Sequence, residues 1–450
     1  MNPIVSRRGF LSGAAAALAA PLIVPSRVLG REGIVPPSDR IGLGFIGCGA
    51  MNTGHARSYM DRDDAHILAV CDVNERKRDE LRENVETRYA QRFERESYRA
   101  VQTHRDFRDL IADDGVDAVI IATPDHWHVL PALAAVRQGK DVYIEKPMSL
   151  TVEEGRVLAD EVKRTGAILQ HGAQQRSQRQ FFRAVELVRN GKIGELEEID
   201  VVLFPGHAGG SCTEEEPPAW FDYDLWLGPA PESPYCPEKC LPVRGWMYIS
   251  EYSGGRITEW GSHHLDIAQW ALDADETGPV EIEGTGVIPQ EGTRDTPIGW
   301  NLELRYASGV PVKFTDSTGR DEPWIRHEGA AGGAGIYFKG TEGWVSANRA
   351  RMETGPEGLA DWEPGPDDIR LNTGQAHHEN FLECIRTREQ PAGHVESAHR
   401  SSTLCHLANI CVRLGEKLEW DPEQERFVDN PAADKHISRP MREPWSLDKA

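Results

Sequence analysis

From Ile41 onward, short apolar runs alternate with longer stretches whose apolar residues return at helical spacing. Ile41–Ile46, His66–Cys71, Tyr98–Thr103, Ala118–Ala122, Val142–Glu145 and Ala167–His171 are rich in β-branched and apolar residues and too short for helices. Between them, Thr53–Met60, the charged Glu75–Phe93, the alanine-rich Leu130–Gln138 and Val152–Arg164 read as helices. Such alternation predicts βαβ units, and so a doubly wound, mainly parallel sheet over residues 40–172.

Beyond about residue 173 the period shortens to two. Glu195–Phe204 and Val280–Ile288 read as strands. Trp300, Leu302, Leu304 and Tyr306 share one face of the next run, with Asn301, Glu303 and Arg305 on the other. Ala307-Ser308-Gly309 then turns the chain into Val310–Thr315, which makes a hairpin. Ile336–Phe338 and Trp344–Ala347, joined across Gly340-Thr-Glu-Gly343, predict another. Residues 173–430 are therefore expected to form an α+β domain around a large, mainly antiparallel open sheet, with 431–450 as a tail. Pro217–Pro242 and Thr354–Pro366 read as surface excursions, and Gly329–Gly335 as a loop.

The first thirty residues follow neither pattern. Ser6-Arg7-Arg8-Gly9-Phe10-Leu11 precedes an uncharged, alanine-rich run from Leu11 to Val24, too short to span a bilayer comfortably. Paired arginines before such a run predict a twin-arginine signal peptide over 1–30, followed by a linker at 31–39. The expected location is the periplasm or another extracytoplasmic compartment, without stable membrane insertion. A formal charge of −22 argues against nucleic acid or an anionic membrane as partner and suits a neutral polyhydroxy substrate. Of eight cysteines, Cys236 and Cys240 alone look like a local pair, which an oxidising compartment would permit to bridge.

Two overlapping glycine patterns compete for a dinucleotide phosphate. Gly42-Leu-Gly-Phe-Ile-Gly47 spells the fingerprint in full, but its first two glycines lie within the first strand run. Gly47-Cys-Gly49 follows that run and opens a helix, where free N–H groups point at an anion. The working turn is therefore assigned to Gly47 and Gly49, with Met51 beside it. Asn52 stands where the third glycine usually packs helix against strand, a task Gly54 could share. Asp72, 25 positions beyond Gly47, is placed to accept the ribose hydroxyls and repel a 2′-phosphate, which favours NAD over NADP.

Ala122-Thr-Pro-Asp-His-Trp-His128, Glu145-Lys-Pro147 and Gly261-Ser-His-His-Leu-Asp266 closely resemble the Gfo/Idh/MocA oxidoreductases, over nearly the whole chain from residue 40. The resemblance implies an N-terminal Rossmann domain. It assigns Lys146 to substrate positioning and charge stabilisation, on a cis Lys146–Pro147 bond, and His263 to general base. Glu259, four residues earlier on the same helix face, occupies the family's aspartate position as orienting or charge partner. Thr123, Pro124, His128, Glu145 and Gln174 join the glycine turn and Lys146 in the cofactor set. Arg176 resembles an arginine bordering the substrate pocket, with a structural ion pair as the alternative. Trp246 and Tyr248 could stack on a sugar ring, and His264 could touch substrate or pack. No metal centre is expected, because His263, His264 and Asp266 do not share one helix face. His377-His378 reads as a surface or structural doublet.

These readings imply an exported NAD(P)-dependent oxidoreductase acting on a sugar, polyol or sugar derivative. Free cofactor is scarce outside the cytoplasm, so a tightly bound NAD is expected. A redox-neutral enzyme that cleaves or modifies a glycoside by transient oxidation is the alternative. A non-catalytic sugar-binding protein on the same fold is the second. The resemblance also implies a homodimer or homotetramer.

Overall fold

The computed structural model describes residues 39–325, 333–371 and 375–450. The twin-arginine segment, nearly all of the linker, and positions 329–332 of the Gly329–Gly335 loop lie outside the described residues.

Strands β1 (Ile41–Ile46), β2 (Ala65–Cys71), β3 (Gln102–His104), β4 (Ala118–Ile121), β5 (Asp141–Ile144) and β6 (Leu169–His171) form one parallel sheet in the order 3-2-1-4-5-6. Helices α1 (Ala50–Met60), α2 (Glu75–Arg92), α3 (Phe107–Ile111), α4 (Val129–Arg137) and α5 (Val152–Thr165) provide the crossovers. Every residue of β1, β4 and β5 is buried, as strands between two helical layers must be. α5 shows local sequence setting both helix ends. Thr151 accepts the Glu154 N–H, Glu153 and Glu154 lie in the first turn, Lys163 and Arg164 in the last, and left-handed Gly166 stops the helix. Strand order reverses between β1 and β4, so their C-terminal ends diverge and open a crevice.

The second sheet has nine strands: β7 (Leu196–Leu203), β8 (Glu281–Val287), β9 (Gly299–Arg305), β10 (Pro311–Asp316), β11 (Gly335–Gly340), β12 (Trp344–Ala347), β13 (Met352–Gly355), β14 (Leu418–Asp421) and β15 (Arg426–Phe427). Their order is 13-12-11-7-10-9-8-14-15, antiparallel throughout except for the β7–β10 pair. Trp300, Leu302 and Leu304 are buried on one face of β9, as its alternation predicts. With Phe314 they meet helices α6 (Arg179–Arg189), α8 (Gly255–Ala271) and α10 (Val395–Leu414) in the larger core; short α7 (Tyr223–Leu227) and α9 (His377–Thr387) lie outside it. Truncating fully buried Phe314 to Ala would cost about 3–5 kcal/mol.

Two long-range features shape the site. Phe381, Leu382 and Cys384 of α9 complete the core around Leu43, Tyr59 and Tyr143, so the chain returns to the parallel-sheet domain after building the second sheet. The C-terminal segment expected as a tail also returns, with Met441, Trp445 and Leu447 against the α4 side. The Pro217–Pro242 excursion is seated on the crevice rim. Its Trp220 carbonyl accepts the Glu75 N–H, Phe221 bridges Asn74, and the Arg76 guanidinium lies 4.2 Å over the Trp220 ring. All eight cysteines are free thiols, Cys236 and Cys240 included. No helix among the described residues is long and apolar enough to cross a membrane.

Candidate active site

The glycine turn sits where strand placement puts it. Gly47 has φ +85°, and a Cβ there would lie 2.6 Å from the Ala122 carbonyl oxygen. Around Gly49 a Cβ would meet nothing, so the backbone is open to a ligand. No side chain caps α1, which leaves its first amides facing outward. Gly42, by contrast, is a strand residue, where a Cβ would collide with the Gly115 carbonyl. Asn52 has a role that its mismatch with the fingerprint does not suggest. Fully buried, its amide donates to the carbonyls of Ile46 (3.0 Å), Gly47 (2.6 Å) and Ile120 (3.2 Å), stapling the turn to β1 and β4. It is a structural residue behind the turn and not part of the crevice wall. Gly54 does not share the task, since a Cβ there would meet nothing.

Asp72 Oδ2 accepts the Cys48 N–H at 2.6 Å, and Oδ1 the Asn74 N–H at 2.7 Å. The acid is thereby locked to the glycine turn, and burial raises its pKa despite those bonds. Thr123 Oγ1 is buried with no hydrogen-bond partner among the described residues, an orphaned group in the crevice wall. Open amides, an acid at the ribose position and an unpaired hydroxyl fit a dinucleotide.

Glu145 and Lys146 end β5. The Glu145 carboxylate is buried and accepts from His55 Nε2 at 3.0 Å and Gln174 Nε2 at 2.8 Å. Burial alone would raise its pKa, but those bonds and the nearby Lys146 charge hold it at about 2. His55 Nδ1 in turn meets His378 Nε2 at 2.8 Å, and the His378 ring stacks on Tyr143. The His377-His378 doublet is thus structural and internal: His377 meets the His171 carbonyl, and His378 backs the Glu145 chain. Gln174 also bonds Tyr143 and reaches the crevice only through Glu145. The Lys146–Pro147 bond is cis. Lys146 lines the crevice, and its ammonium has no hydrogen bond or ion pair among the described residues. His128 holds the adjoining loops, with Nδ1 2.6 Å from the Pro147 carbonyl and Nε2 3.0 Å from that of Thr123.

Helix α8 brings the second domain to the same place, with a different division of labour from the one expected. Glu259 lines the crevice, but its carboxylate binds Arg256 at 2.8 Å and not His263. Their four-residue spacing puts both on one helix face, yet an arginine at i−3 captures the acid first. His263 is buried behind the wall, and burial together with the Lys146 charge pushes its pKa well below the ordinary value. His264 packs against Trp260 and Phe181 in the core. Arg176 is 1% exposed and forms paired 2.8 Å bonds with both Asp266 and Asp275, so the structural alternative describes it. Tyr248 is buried beneath His207 and Arg256 and offers no stacking face. Trp246 does line the crevice.

The crevice encloses about 570 Å³ between the two domains. Thr123, Pro124, Asp125, Glu145, Lys146, Ser253 and Glu259 line it. Gly47, Gly49, Met51 and Asp72 line it next to Thr123, with Trp220, Phe221, Trp246, Pro237 and residues 240–243 completing the wall. Sequence reasoning passed over Asp125 and Ser253, although Asp125 stands inside a motif it singled out, at a strand's C-terminal end. The His55–His378 contact spans 323 positions and has no local signal. Among the described residues no cluster of three or more His, Cys, Asp or Glu could hold a metal ion.

Comparison with known proteins agrees with this geometry. A glycosyl hydrolase family 109 protein from Shewanella baltica is 29% identical over 93% of this chain and 89% of its own length. The myo-inositol 2-dehydrogenase of Thermotoga maritima is 31% identical over 60% of this chain and 66% of its own. The fold matches the WlbA dehydrogenase of Bordetella pertussis, solved with NADH and UDP-GlcNAcA (TM-score 0.61, 16% identity, 85% of this chain and 99% of that one). Residues 41–173 match the NAD-binding Rossmann fold of an oxidoreductase family, and residues 207–447 its C-terminal alpha/beta domain. The chain belongs to the Gfo/Idh/MocA oxidoreductase family, with NAD as its cofactor.

Proposed function

We propose that this protein oxidises a CH–OH group of a sugar, polyol or sugar derivative, with Lys146 holding the reacting oxygen. The observation that carries this reading is an uncommitted ammonium on the wall of the crevice that the glycine turn also lines. NAD, when bound, supplies the hydride acceptor. Lys146 orients the hydroxyl and stabilises the negative charge that grows on its oxygen as the proton leaves. His263 carries the general-base assignment from behind the crevice wall, where burial and the Lys146 charge depress its pKa and keep it neutral, so it receives the proton only by way of a group on the wall. Glu259, held by Arg256, contributes charge on the wall.

Replacing Lys146 with Ala is expected to lower turnover at least about 100-fold while leaving bound NAD unchanged, measured by steady-state rates and by cofactor content of the purified protein. Unaltered turnover would discard the assignment.

A second reading, redox-neutral cleavage or modification of a glycoside, is favoured by the family 109 relative that spans nearly the whole chain. The aromatic side of the crevice, with Trp220, Phe221 and Trp246, supports tight cofactor retention in that case. Twin-arginine export, which carries folded proteins, would let cytoplasmically bound NAD travel inside to the periplasm. Accumulation of NADH during repeated turnover separates net oxidation from the redox-neutral cycle. Assembly into a homodimer or homotetramer through the open face of the nine-stranded sheet completes the proposal.

A further inference from the structure

Among the described residues four carboxyl groups line the crevice, and three are already committed. Asp72 is held by two backbone amides, Glu145 by His55 and Gln174, and Glu259 by Arg256. The fourth, Asp125, opens the short turn Asp125–Trp127 after β4 and is 4% exposed. Its side-chain partner is neutral: Oδ2 accepts from Ser253 Oγ at 2.6 Å. Ser253 comes from the other domain, just before α8, and its Oγ also accepts the Gly255 N–H. The carboxyl is therefore oriented across the domain seam, beside Thr123 and Pro124 on the crevice wall that also carries Lys146, whose charge acts on it.

We propose that Asp125, oriented by Ser253, is a second acid–base residue of this site, facing the substrate hydroxyl that Lys146 holds. The inference rests on the oxidoreductase reading above and adds to it a proton-transfer group on the crevice wall, which buried His263 does not line. In the oxidative direction the substrate C–H bond breaks with its electron pair leaving as hydride to NAD. The O–H bond breaks, its proton passes to the Asp125 carboxylate, and the oxygen's electrons close the C=O bond. The reverse step returns both. A carboxyl serves both directions only if each protonation state is accessible near neutral pH. Burial, with Glu259 adding to it and the Ser253 hydroxyl and Lys146 charge opposing it, brings Asp125 to about 7. On its own turn, burial pushes the pKa of His126 and of His128 down. Arg439 reaches that turn from outside, at the His126 carbonyl and the Glu251 carbonyl.

The test has two arms on the full chain with NAD. Difference infrared titration of wild type against Asp125→Asn, without substrate, is expected to show one carboxyl band disappearing near pH 7 that the variant lacks. Removing the cation in Lys146→Ala should move that band's midpoint upward, which a carboxyl remote from Lys146 would not do. NADH formation from myo-inositol and D-glucose is then followed against pH. Asp125→Asn should fall about 100-fold or more and lose the limb near pH 7 while binding NAD as before, and Ser253→Ala should lose part of the rate with that limb retained but displaced upward. A carboxyl titrating near 4, or an Asp125→Asn enzyme with wild-type rate and pH profile, overturns the proposal. If neither compound reduces NAD in wild type, the oxidoreductase reading fails by itself. In that case a pH 7 band that both compounds leave unmoved overturns the Asp125 assignment as well.

Discussion

Two neighbouring strand ends of one sheet treat a buried carboxyl in opposite ways. At the end of β5, Glu145 has His55 behind it, Gln174 beside it and Lys146 next in sequence, and it stays ionised down to about pH 2. At the end of β4, Asp125 has a serine hydroxyl as its side-chain partner and titrates at about 7. Burial is nearly equal, 3% against 4% exposed, so desolvation does not separate them. The difference is the partner. A donor chain that stabilises the anion makes a fixed structural charge, whereas a single neutral hydroxyl leaves the group able to change state. One wall of the crevice thus carries both a constant charge that fixes the Lys146 loop and a variable one beside it.

Removing the fixed charge is the largest perturbation. Glu145→Leu leaves His55 and Gln174 without their buried acceptor and is expected to cost about 3–5 kcal/mol, read as a lower urea midpoint. A variant as stable as wild type would place Glu145 with Asp125, as a carboxyl with no structural duty.

The variable charge predicts a pH effect of definite sign. The folded pKa of Asp125 lies above its unfolded value of 3.8, so the folded state alone keeps the proton between about pH 4 and pH 7. Stability from this group is present below pH 4 and falls by about 1.4 kcal/mol per pH unit until it levels near pH 7. Asp125→Asn, which has no such charge to bury, should gain on wild type across that window. Melting temperatures of the pair from pH 4.5 to 8 would check it, and parallel curves would erase the contrast.

A smaller effect is expected at the glycine turn. Asn52→Gly restores the full glycine fingerprint but removes three buried hydrogen bonds, which should cost about 1–3 kcal/mol and weaken NAD retention. A variant that held NAD more tightly would show that the staple is dispensable.

Much of the site was legible because it lies at strand ends, and strand ends are local. The Gly47-Gly49 turn, Asp72, Thr123 and Lys146 all follow runs of apolar residues whose limits the chain itself marks. Arg176 was only half legible: its ion-pair role needs Asp266 and Asp275, 90 and 99 positions away. Glu259 shows the limit of periodicity, which gives a shared helix face but not which neighbour takes the carboxylate. His263 and His264 are adjacent in sequence, and neither lines the crevice.

By itself, the sequence determined the two-domain α/β and α+β plan, the position of the phosphate turn and that of Lys146. These follow from hydrophobic period and from backbone requirements that act over a few residues. Tertiary structure decided which carboxyl is fixed and which can titrate, that Asn52 staples the turn, and that α9 and the C-terminus close the first domain. Each depends on desolvation and on partners brought from distant positions, and a linear pattern carries no record of either.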